Sequence, residues 1–211
     1  MDAAMLLAWS LVALIGVMTP GLDTLLVLRH TLLSDRKAGF ATVVGISGGY
    51  LVWASASLAG LTALLAASQL AYDIVRIAGA AYLVWLGGNA IWRSFRRKKP
   101  SDEIAERPRT PMRPWRALRT GAVTNLLNPK VGVFYLSILP QFLPTGSATA
   151  AWGALLVAIH IAVTFAWFTA LIWGAGKARR LLLKERARAW LDRVSGAVLV
   201  GVGVKLATDT R

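Results

Sequence analysis

The chain has 211 residues, 56% of them hydrophobic, a mean hydropathy of +0.55 and only 16% charged residues. A soluble domain of this length carries more charge and shorter apolar runs, and the absence of cysteine excludes disulfides and thiolate metal sites. A net charge of +14 would point to nucleic acid in a soluble protein, but here the basic residues fall between apolar segments and no nucleic-acid partner is expected.

In chain order the apolar segments are Met5–Leu28, Gly39–Ala67, Ala71–Trp92, Leu118–Leu143, Ala148–Gly176 and Ala189–Ala207. Each approaches or exceeds the roughly 20 residues of a spanning helix. The last is the weakest, because Asp192, Arg193 and Lys205 interrupt it. The connections Arg29–Ala38, Arg93–Ala117 and Lys177–Arg188, counted with Arg119, hold 19 of the 24 Lys and Arg, whereas Ser68–Leu70 and Pro144–Ser147 hold none. The positive-inside rule therefore puts the three basic connections in the cytoplasm and both termini outside. The basic run Phe95–Lys99 reads as a topology determinant that also touches anionic lipid. Met1-Asp-Ala-Ala lacks the basic start of a secretory signal, so the first segment is expected to be an uncleaved helix.

The pattern predicts an all-α integral membrane protein with six transmembrane helices in two three-helix repeats, 1–92 and 118–211, joined by a basic cytoplasmic connector, 93–117. Arg76-Ile-Ala-Gly-Ala-Ala-Tyr-Leu in the third segment is echoed by Arg193-Val-Ser-Gly-Ala-Val-Leu-Val in the sixth. Pro20-Gly-Leu-Asp in the first is echoed more weakly by Asn128-Pro129-Lys130 in the fourth. With three helices per half, the second half crosses in the opposite sense, an architecture of secondary transporters with a midplane site between discontinuous helices. Pro20 lies about 13 Å from Arg29 and Pro129 about 15 Å from Arg119 at the helical rise, so both breaks reach a similar depth.

Proline removes a backbone donor and disfavours helix in the preceding residue. Pro20 with Gly21, and Pro129, are therefore expected to break the first and fourth helices, or at least to kink them. Groups freed at such a break are tolerated in a bilayer only where protein or a water-filled cavity satisfies them. Asp23 and Lys130 are the charged residues at this depth and suggest a site. Asp23 is a candidate proton-titrating group or partner for a substrate amine; Lys130 is a candidate carboxylate ligand or modulator of Asp23. The two could equally form a permanent structural pair. Asn125 and Asn128, at i, i+3, either bind substrate or satisfy the broken backbone. His160 is a candidate proton relay or a hydrogen-bonded interhelical histidine. Gly45 and Gly49 form a GxxxG that favours close helix packing, which with a compact body suits a homodimer. Trp9, Trp92, Trp115, Trp152 and Trp190 lie near segment ends as interface anchors, and Asp73 with Arg76 forms an i, i+3 pair.

No Gly-x-Ser-x-Gly, His-Glu-x-x-His or Walker A motif is present. No enzyme activity, cofactor or metal is therefore expected, and any pumping must draw on an ion gradient or an outside partner.

At these residues the chain resembles the LysE/RhtB family of bacterial amino-acid exporters. Pro20-Gly21-Leu22-Asp23 with Leu25-Leu26-Val27 is similar to its first-helix signature. Thr124-Asn125-Leu126-Leu127-Asn128-Pro129-Lys130 with Leu139-Pro140-Gln141-Phe142 is similar to the fourth, and Ala78-Gly79-Ala80-Ala81-Tyr82-Leu83 with Leu86-Gly87 to the third. The likeness covers nearly the whole length and departs at Leu22, where the family often has a second proline. It implies export of amino acids or close derivatives across the inner membrane, by proton antiport, without fixing the substrate. Rival readings are export of another small solute or metal cation, a lipid-headgroup enzyme, or a non-transporting assembly protein.

Overall fold

A computed structural model describes residues 3–19, 21–67, 69–96, 111–144, 149–175, 177 and 185–208, and every regular element among them is helical. Helix α1 spans Ala3–Met18, α2 Leu22–Leu33, α3 Arg36–Ala67 and α4 Gln69–Arg96. Helix α5 spans Pro114–Leu126 and α6 Pro129–Val133; α6 continues through a π-helical turn, Phe134–Ile138, and a 3-10 turn, Leu139–Phe142. Helices α7, Thr149–Trp173, and α8, Glu185–Thr208, complete the set.

Among the described residues, α3 over Arg36–Gly60 and α7 over Thr149–Trp173 are each long and apolar enough to cross a membrane. A third span results if α1 and α2, bent by 58° at their break, count as one. The other three apolar segments fall short of that measure for local reasons. The apolar stretch of α4 is confined to Ile77–Trp92, the fourth segment is divided between α5 and α6, and α8 carries the charges already noted. Helix α4 also runs on to Arg96 and α5 starts at Pro114, so both ends of the expected connector are helical; most of its basic residues lie outside the described ones.

Glycines decide which helices touch. A Cβ on Gly121 would strike the Thr42 carbonyl, one on Gly45 the Leu118 carbonyl, and one on Gly49 the Asn125 side chain. Gly45 also meets the Ala122 amide, so from Gly45 to Gly49 the contacts advance from Ala122 to Asn125, and α3 and α5 run parallel with their backbones nearly touching. Gly87 abuts the Gly196 carbonyl and Gly203 the Ala80 carbonyl; the order is reversed, so α4 and α8 are antiparallel. Where hydrocarbon surrounds the helices, close approach at small residues is what drives association. The GxxxG at Gly45 and Gly49 is thus used within the chain and lends no support to a homodimer.

The ends of the basic connections gather on one side. Ser34, after α2, accepts a hydrogen bond from the Met112 amide just before α5 at 2.9 Å. Arg36 at the start of α3 lies 4.2 Å over the ring of Trp173 at the end of α7. At the α4–α8 end, Arg193 donates to Ser94 at 3.1 Å and covers Phe95.

Of the expected interface tryptophans, Trp92, Trp115 and Trp190 are exposed. Trp9 is a correction: it is fully buried and its indole N–H donates to the Leu156 carbonyl at 2.7 Å. Its ring binds α1 to α7 inside the protein, where an interface anchor cannot be. The side chain of Arg76, and with it the proposed Asp73 pair, lies outside the described residues.

Candidate functional site

The first helix break builds the site. Thr19 closes the last turn of α1, its amide and its hydroxyl both donating to the Ile15 carbonyl at 3.0 and 2.6 Å. The next rung needs an N–H from residue 20 to the Gly16 carbonyl, and proline has none. Pro20 lies outside the described residues, but its covalent structure alone denies Gly16 that donor. Gly21 is extended, with φ −161° and ψ −166°, and α2 restarts at Leu22 without a side-chain cap. The missing donor comes from the other half of the chain: Lys130 Nζ donates to the Gly16 carbonyl at 2.9 Å and to the Thr19 carbonyl at 3.4 Å.

Asp23 sits in the first turn of α2 and is 8% exposed. Its Oδ2 accepts a hydrogen bond from Asn125 Nδ2 at 3.0 Å. Its Oδ1 and the Asn125 Oδ1 are both buried without a hydrogen-bond partner. Asp23 and Lys130 interact electrostatically, while the short hydrogen bonds above go from Lys130 to carbonyls and from Asn125 to Asp23.

The two asparagines, equivalent on one helix face by spacing, divide the roles expected of them. Asn125, fully buried on α5, holds the carboxylate. Asn128 caps α6, its Oδ1 accepting from the Lys130 amide at 3.2 Å, with Pro129 at the first helical position. That cap fixes the base of the Lys130 side chain.

Gly16, Thr19, Gly21, Asp23, Thr24, Asn128 and Lys130 line one cavity of about 40 Å³, walled on its other side by Tyr50, Phe134, His160 and Phe168. It has room for a few waters, so a whole amino acid enters only if the broken helices part. His160 is hydrogen-bonded to the Tyr135 hydroxyl through Nδ1 at 3.0 Å, and its ring stacks on Tyr50 at 4.5 Å. The structure thus brings together Gly21, Asp23, Asn125, Asn128, Lys130 and His160, with Pro129 exposed at the base of α6.

Reading the sequence missed Tyr50, Tyr135 and Thr24. The available signal was two tyrosine hydroxyls in the middle of apolar stretches, each of which needs a buried partner. His30 bonds Thr42 at 2.7 Å and is absent from the cavity lining.

Apolar helices broken around a buried carboxylate, an ammonium group and a small cavity are the kind of arrangement that secondary transporters use. The chain belongs to the LysE type translocator family, whose description matches residues 14–210. It is 30% identical over 201 residues to the threonine efflux protein of Salmonella typhi, covering 93% of this chain and 94% of that one. It is 29% identical over 194 residues to the leucine efflux protein of Enterobacter sp. strain 638, covering 91% and 90%. An uncharacterized membrane protein of Bacillus subtilis, YrhP, is 28% identical over 203 residues, covering 95% and 97%. No solved structure gives a significant match.

Proposed function

We propose that this protein exports amino acids or close derivatives from the cytoplasm across the bacterial inner membrane, with protons moving inward. The observation that carries the reading is the buried Asp23 at the cavity of the α1–α2 break, in a chain of this family. Relatives named for threonine and leucine efflux at similar identity support an amino-acid cargo and leave its side chain open.

A zwitterion brings one positive and one negative group, and the cavity offers a carboxylate and an ammonium group to meet them. A carboxylate at membrane depth that exchanges a proton for a cationic group couples two flows through one site. His160, hydrogen-bonded to Tyr135 in the same cavity wall, is the next group on that route.

The topology is proposed with the three basic connections in the cytoplasm and both termini outside, in six helices forming two inverted repeats. The shared side of the basic ends supports it, as does the antiparallel packing of α4 on α8, the third helices of the two halves.

The test is amino-acid analysis of the medium around bacteria producing the parent or Asp23→Asn, with insertion of both checked in membrane fractions. Selective accumulation of an amino-acid group with the parent alone is expected. Accumulation by neither form, with both inserted, would overturn the amino-acid assignment; equal accumulation by both would remove Asp23 from the mechanism.

A further inference from the structure

The cavity at the α1 break is rich in acceptors. Gly16 and Thr19 supply carbonyls, Asp23 supplies a buried Oδ1 without a partner, and Asp23 lines the same space as both carbonyl residues. Such a set suits a group that brings several N–H donors and a positive charge. In the structure that group is the ammonium of Lys130, at 2.9 Å from one carbonyl and 3.4 Å from the other. The lysine reaches across from α6, on a four-carbon stem whose base is fixed by the Asn128 cap.

We propose that the Gly16 and Thr19 carbonyls with Asp23 form a subsite for the primary ammonium group of the substrate, and that Lys130 is its tethered occupant when no substrate is bound. This rests on the export reading above, because it takes the cargo to be an amino acid. Binding is then an exchange: the incoming ammonium replaces Lys130 on the carbonyls, and the freed lysine turns to the substrate carboxylate. No covalent bond changes, and each charge passes from one partner to another. That matters at this depth, because a buried charge is tolerated only while paired. Pro20 is what makes the subsite, since a residue with an N–H at position 20 would have satisfied Gly16 within the helix.

A lysine that merely caps the helix permanently would look the same at rest, so the test removes it and offers a free ammonium instead. Purified full-length parent and Lys130→Ala are unfolded thermally in detergent with methylammonium chloride or, at equal ionic strength, tetramethylammonium chloride, which has no N–H. The expected result is a lower Tm for Lys130→Ala, with a saturable rise of about 2–4 °C in methylammonium. Tetramethylammonium is expected to give no rise, and the parent is expected to respond to neither. Adding Asp23→Asn to Lys130→Ala is expected to weaken the methylammonium response about tenfold.

If Lys130→Ala does not survive purification in ordinary buffer, it is extracted and purified throughout in either salt. Recovery in methylammonium alone supports the subsite, and recovery in neither overturns it. Equal responses to the two salts, or a parent that responds as the variant does, also overturn it. These readouts measure binding without transport. Failure here with amino-acid accumulation intact removes the subsite alone, whereas success here without accumulation removes the amino-acid cargo.

Discussion

The chain breaks a helix twice with proline, and the two breaks are finished in opposite ways. After Pro129 the turn completes itself: the Asn128 amide donates to the Asn125 carbonyl at 3.0 Å, the Asn128 side chain caps α6, and its carbonyl takes the Val131 amide at 3.0 Å. Around Pro20 no local group among the described residues does this; the Gly16 and Thr19 carbonyls take an ammonium group supplied from α6, and Asp23 keeps one oxygen without a hydrogen-bond partner. One break is a closed joint that holds Lys130 and, through Asn125, Asp23. The other is open, and the proposed ammonium subsite lies there.

The sharpest way to break this contrast is at Asp23. Asp23→Asn keeps the shape and the Asn125 contact within reach but removes the charge, and export is expected to fall to the level of cells lacking the protein.

Next in size is stability at Lys130. Lys130→Met leaves two carbonyls and a buried carboxylate without their cation, and unfolding is expected to become easier by about 3 kcal/mol, read from denaturation in micelles. A variant as stable as the parent would mean that water satisfies the open break.

Gly49 tests how the closed joint positions the carboxylate. A Cβ there runs into the Asn125 side chain, so Gly49→Ala is expected to cost about 1–3 kcal/mol by overpacking and to slow export further by moving Asn125 from Asp23. Gly48, with nothing near its Cβ position, is the control: Gly48→Ala is expected to be neutral or to stabilise α3 by about 0.5–1 kcal/mol. Equal effects at the two positions would remove Asn125 from the positioning of Asp23.

The smallest effect is expected at the cap itself. Asn128→Ala should cost about 1 kcal/mol of stability and, because Asn128 lines the cavity and fixes the base of Lys130, lower export in part.

Much of this was legible before any coordinates. Proline chemistry marks both breaks, because a missing N–H is a property of the residue and not of its surroundings. Charge placement marked the side on which the basic ends gather, because the segments between them are too apolar to hold those charges. What one sequence conceals is long-range pairing. Asn125 and Asn128 look equivalent by spacing, yet Asn125 holds the Asp23 carboxylate while Asn128 caps its own helix and lines the cavity beside Asp23. Trp9 lies near a segment end and was expected at the interface, but the Leu156 carbonyl, 147 residues away, holds it inside. Tyr50, Tyr135 and His160 come from three different helical segments, and their stacking depends on how α3, the π-helical turn and α7 meet. The glycines of α3 read as a close-packing motif, and what the sequence does not tell is that the partner is α5 of the same chain.

The most direct measurement sets the two breaks side by side. Export rates of Asp23→Asn and Asn128→Ala are compared with the parent at equal amounts of inserted protein. An open α1 break that carries the ligand, and an α5–α6 joint that holds Lys130 in place, give no export for the first and reduced but measurable export for the second. Loss of export in Asn128→Ala with export retained in Asp23→Asn would contradict that division outright.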